Sequence, residues 1–131
     1  MAIEVKRKLF TVDEFQRMAE SGVVEPADRL ELLEGEIIEM NAIGTRHAAV
    51  VIQLTHLLSA RVGDRGLVSV QNPIILDARS QPQPDVTVLK RRMDNYFGGL
   101  PTPADVLLIV EVSDSTLPSG IFTSFQTFHS C

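Results

Sequence analysis

The chain has one cysteine, no tryptophan, one tyrosine and no long apolar run. Each shortage excludes a class of protein. A single cysteine, the terminal Cys131, permits neither an internal disulfide framework nor a Cys/His zinc site, and it suits a reducing cytoplasm. The longest wholly apolar stretches, such as the one ending at Val110, are far shorter than the roughly 20 residues a membrane helix needs. The N-terminus MAIEVKRKLF carries charge but no apolar segment behind it, so neither secretion nor membrane insertion is expected. Positive charge is also scarce. Twelve Lys and Arg face 17 Asp and Glu, a net charge of −5 and the wrong sign for holding nucleic acid by bulk electrostatics alone. A metal-dependent nuclease is less affected, because its acidic ligands contribute negative charge that bound cations offset.

The 131 residues that are present, 44% of them hydrophobic, suffice for one core and one α/β or α+β domain. Thr11 followed by Glu14 reads as a capping box opening a helix that Gly22 closes. RLELLEGEIIEM, residues 29–40, reads as a hairpin with its turn at Glu34-Gly35. Thr45 is placed to cap a second helix, with Ala48, Val51, Leu54 or Thr55, and Leu58 recurring at helical spacing and Gly63 as its stop. Strands are expected over 67–71, 74–76, 85–89 and 105–112. Residues 117–131 differ in kind: no Asp, Glu, Lys or Arg, three of the six phenylalanines, and no clear helix start or strand alternation. A short helix with Phe122, Phe125 and Phe128 on one face is one reading.

The residues that could carry chemistry are acids at strand ends. In residues 105–112, Leu107, Ile109 and Glu111 alternate onto one face and Val106, Leu108, Val110 and Val112 onto the other. Both faces are apolar, which marks a central strand. Glu111 is therefore either solvated beyond the buried section or desolvated and in need of a partner or cation. Asp85, fixed behind Pro84, begins the preceding strand; if the two strands pair, both carboxylates can reach one Mg²⁺, which takes one or two carboxylates plus water. Glu31, on the hairpin's first strand, is a third candidate acid, and Glu34, Glu36 and Glu39 read as solvated. His47, in the first turn of the second helix, could donate to phosphate or assist a water, with ordinary packing as the alternative; His56 reads as packed or solvated. The basic clusters Lys6-Arg7-Lys8 and Lys90-Arg91-Arg92 are either phosphate contacts or solvated faces.

Taken in order, LELLEGEIIEM, Thr-Arg-His47, Gln-Pro-Asp85-Val-Thr-Val and Leu-Ile-Val-Glu111-Val-Ser-Asp-Ser resemble the bacterial Uma family of putative restriction endonucleases, a branch of the PD-(D/E)XK nucleases, over residues 11–116. The resemblance implies a restriction-endonuclease-like core, a mixed β-sheet flanked by helices. It implies DNA as substrate and Mg²⁺ or Mn²⁺ as cofactor, with Asp85 and Glu111 as ligands, Glu31 orienting the ion or a water, and His47 matching a histidine usual in the family. One departure weighs against activity. Ser113 stands where the superfamily motif has Lys, and no Lys follows Lys90. The expected organisation is thus a nuclease-like domain over 1–116, incomplete at its C-terminal side, and an atypical tail over 117–131. A strand ending at Glu111 without its next neighbour would present an apolar edge and favour a homodimer. The alternative function is a non-catalytic nuclease-fold protein that binds DNA or a protein partner, through a surface near residues 90–103.

Overall fold

The computed structural model describes residues 3–25, 28–113 and, as backbone, 122–126. Helix α1, Val12–Glu20, starts where its capping box lies: Glu14 N donates to the Thr11 hydroxyl, and the Glu14 carboxylate accepts from Thr11 N. Strands β1, Leu30–Leu33, and β2, Glu36–Glu39, form the expected hairpin. Its two turn residues, Glu34 and Gly35, have φ of 50° and 83°, the pair of left-handed residues that matches strand twist in a two-residue hairpin. Val12 and Phe15 of α1 pack on Leu32, which is fully buried.

Helix α2, Thr45–Val62, ends at Gly63 as expected, but its N-cap is Gly44 and Thr45 lies inside the first turn, so the expected threonine cap is not made. The main sheet has the order β3-β4-β5-β6, with β3 Leu67–Val70, β4 Val86–Leu89, β5 Val106–Ser113 and β6 Phe122–Gln126. Every ladder among the described residues is antiparallel. The α+β class is as expected, while the parallel pairing that a mixed sheet requires is not found among those residues. Residues 74–76 form no ladder strand. Their backbone bonds go instead to Pro82, Pro101 and Ser80, which fold this segment against the sheet.

Val51 of α2 packs on Val86, Val110 and Val112, and the opposite side of the sheet buries Ile74, Leu89, Val106 and Ile109. Val106 thus shares a cluster with Ile109, contrary to simple alternation. The cause is a bulge: Val88 pairs with Leu108 but Leu89 pairs with Val106, so Leu107 is skipped and is 41% exposed.

The expectation of a bare edge at β5 is overturned. Residues 122–126, read above as a possible helix face, are a strand whose register with β5 runs from Ile109↔Gln126 to Ser113↔Phe122. This makes β5 central and removes the edge-based argument for a homodimer; Phe128 and the boundary at residues 116–117 lie outside the described residues. No helix among the described residues is long and apolar enough to cross a membrane.

Candidate active site

Pro84 lies just before β4 and Asp85 just past the last ladder pair, Val86↔Val110. One step further, the same antiparallel register sets Asp85 opposite Glu111. Asp85 is 4% exposed and fully engaged. Its Oδ2 accepts from Val112 N at 2.7 Å, standing in for the backbone carbonyl that a longer β4 would have offered, and its Oδ1 lies 2.8 Å from His47 Nε2. A buried carboxylate with both oxygens bonded has one orientation available to it. His47 comes from the first turn of α2, and the packing of Val51 one turn further along fixes where that turn sits.

Glu111 behaves differently. Burial, followed by the negative charges of Asp85 and then Glu31, pushes its carboxyl up to about 7. All three sequence-selected acids are therefore within electrostatic reach of one another, although they arrive from separate elements. Glu31 reaches the cluster because β1 is tied to the segment that leads into β4. Leu32 exchanges backbone bonds with Gln81, and the Glu31 carboxylate accepts from Gln83 N at 2.9 Å. The hairpin thereby holds the Gln-Pro-Asp85 turn from behind.

Asp85, Glu111 and His47 line an open cleft of about 520 Å³ together with Arg29, Ser113 and the segment 40–44. A larger groove, about 650 Å³, runs along β3 beside Asn95, Tyr96 and Leu100, but none of the acids lines it. Arg29 belongs to no recognisable motif in the sequence, although alternation in the hairpin places it on the side of Glu31. Its Nη1 donates to the Asn41 carbonyl at 3.0 Å, bracing the cleft wall. Of the other candidates, His56 is exposed, and Lys8 and Arg7 are drawn into exposed pairs with Glu14 and Glu36, as a solvated face would be.

The donor set suits a hard divalent cation only in one mode. Among the described residues no three His, Cys, Asp or Glu side chains are grouped closely enough to enclose an ion. The adjacent carboxylates of Asp85 and Glu111 do supply the one or two oxygen ligands that Mg²⁺ uses when water and substrate fill its remaining positions. The Glu111 carboxyl is raised first by burial and then by the negative charges of Asp85 and Glu31, and a cation would offset the charge part of that penalty.

The chain matches the family model named Uma2, described as putative restriction endonuclease, over residues 12–119. No curated protein matches it, and no solved structure does.

Proposed function

The chain belongs to the Uma2 family of putative restriction endonucleases, and from that premise we propose that it is a divalent-metal-dependent endonuclease that hydrolyses DNA phosphodiester bonds. The observation that carries this reading is the Asp85–Glu111 pair, one acid held rigid and the other reluctant to ionise, at the wall of an open cleft. Asp85 and Glu111 would hold Mg²⁺ or Mn²⁺, and Glu31 would orient the ion or its water. Bound there, the ion would supply a hydroxide nucleophile and offset charge on the scissile phosphate. The chain itself contributes positioning. Val112 N–H and His47 fix the Asp85 carboxylate, so the ligand needs no reorganisation. His47 is here a positioning residue. Glu111 keeps its proton up to about pH 7 when no cation is near, which spares the folded protein a second buried negative charge beside Asp85. A cytoplasmic location accords with the lone cysteine.

The test is nicking of supercoiled plasmid with Mg²⁺ and with Mn²⁺, with Asp85→Ala as the control and the melting temperature of both proteins followed as metal is added. Cleavage and a metal-dependent rise in melting temperature, both lost in the variant, are expected. At metal one hundred times its dissociation constant the stabilisation would be about 2.7 kcal/mol. A second reading, a nuclease-fold protein that binds DNA or a protein without cutting, is favoured by Ser113 in the place of Lys two positions after Glu111. It predicts salt-sensitive DNA binding indifferent to chelator, and no nicking under either metal.

A further inference from the structure

At the far end of β4 and β5 from Asp85 and Glu111, the chain builds a second surface of different chemistry. Residues 61–65, closing α2, and residues 90–105, joining β4 to β5, meet there through the bond from Arg91 Nη1 to the Asp64 carbonyl. The two segments contain five Lys or Arg and three Asp, a positive pole on a chain of net charge −5. The acids are spent largely on local structure. Asp94 accepts from Arg92 Nε and Nη2 at 2.7 and 2.8 Å and from the backbone N–H groups of Tyr96 and Gly98, bonds that pull its carboxyl down to about 2. Asp105 caps its own turn through Thr102. Lys90 is exposed and has no ion pair among the described residues, and the Arg91–Asp64 pair is exposed and long, at 3.4 Å. Such a pair is cheap to exchange for phosphate.

The same hydrogen bonds make the turn rigid. Arg92 stacks over the Tyr96 ring at 4.7 Å, and the Tyr96 hydroxyl donates to the Lys90 carbonyl at 2.6 Å. Asn95 and Tyr96 are held at φ of 51° and 64°, a conformation that bulky side chains avoid unless surrounding bonds impose it. What this turn presents is Met93 and Phe97, 103% and 95% exposed. Two large apolar side chains held in water on a braced turn, flanked by cations, lack any role in the core.

We propose that residues 90–97 form a duplex-DNA contact, with Lys90 and Arg91 on backbone phosphates and Met93 and Phe97 inserted against base edges in a groove. This rests on the nucleic-acid reading of the cleft. Asp85 and Lys90 lie five residue steps apart along extended chain, about 17 Å, which corresponds to some five base pairs of duplex. A protruding pair of side chains is too small for a stable protein interface, which needs about 800 Å² from each partner, whereas wedging of Phe or Met beside phosphate-bound cations is a known mode of DNA contact.

The experiment measures binding of a labelled duplex in chelator by fluorescence anisotropy over a salt series, for the intact chain, Met93→Ala/Phe97→Ala and Lys90→Gln/Arg91→Gln. Sedimentation of the same samples reports oligomeric state, and all substituted side chains are exposed, so melting should match the parent. The apolar pair should weaken binding about tenfold with the salt slope unchanged. The charge pair should flatten the slope of log affinity against log salt by about two. Binding equal to the parent in both variants overturns the proposal, as does a parent dimer that Phe97→Ala dissociates without loss of DNA affinity. Failure of the parent to bind duplex overturns the contact, whereas the nuclease reading stands or falls on plasmid nicking with metal. Variant-sensitive binding by a chain that nicks nothing supports the contact and refutes only the catalytic proposal.

Discussion

Two carboxylates one strand apart, Asp85 and Glu111, are held in opposite ways, and substitutions should separate them. Asp85 has both oxygens occupied. Asp85→Asn retains an acceptor for Val112 N–H, so it should unfold within about 1 kcal/mol of the parent while binding no metal; Asp85→Ala leaves a buried N–H unpaired and should cost about 1–3 kcal/mol. Urea denaturation of the two variants checks the order. Glu111 titrates at about 7 in the folded chain against an ordinary value of 4.5. Below pH 4.5 both folded and unfolded states keep the proton, and Glu111 has no effect on stability. Between 4.5 and about 7 only the unfolded state releases it, so rising pH favours unfolding, and above 7 the penalty is complete. Glu111→Gln should therefore melt higher than the parent at pH 8 in chelator, the difference fading as pH falls towards 4.5. A constant difference across that window would show that Glu111 is ordinarily ionised.

At the scale of elements, the β1–β2 hairpin is the support on which the site depends. Gly35 lies at φ 83°, and a Cβ there would meet Leu9 Cβ at 2.7 Å. Gly35→Ala combines backbone strain with a clash against a neighbouring chain segment, and should destabilise by more than about 1 kcal/mol. Because Glu31 on this hairpin holds Gln83 N, the same change should also weaken metal binding through Asp85, readable as a smaller metal-induced rise in melting temperature. The hairpin was legible in the sequence because Glu34-Gly35 between alternating apolar residues is a local signal. Its bond to residues 81–83 was not, since that contact joins positions some fifty residues apart.

For the whole molecule the decisive feature is that β5 is central only because β6 pairs with it. Removing residues 114–131 should expose the β5 edge from Ile109 to Ser113 and shift the chain towards dimers and larger species, measurable by sedimentation. A monomer that melts as the full chain does would show that β6 contributes nothing to edge protection. Charge is also arranged at this scale: the acidic cleft and the basic turn lie at opposite ends of the same two strands.

Local sequence signals were enough for the capping box of α1, the hairpin turn and the end of α2 at Gly63, and they narrowed the class to α/β or α+β and the candidate acids to Glu31, Asp85 and Glu111, because each is written in residue types a few positions apart. Tertiary structure alone decided what those acids do to one another. His47 reaches Asp85 across 38 positions, Glu31 comes from a separate sheet, and the Glu111 carboxyl rises because of what surrounds it rather than what precedes it. The bulge at Leu107 and the pairing of β6 belong there too: alternation describes a strand in isolation, whereas register and edge coverage are fixed only when a second strand supplies the partner groups.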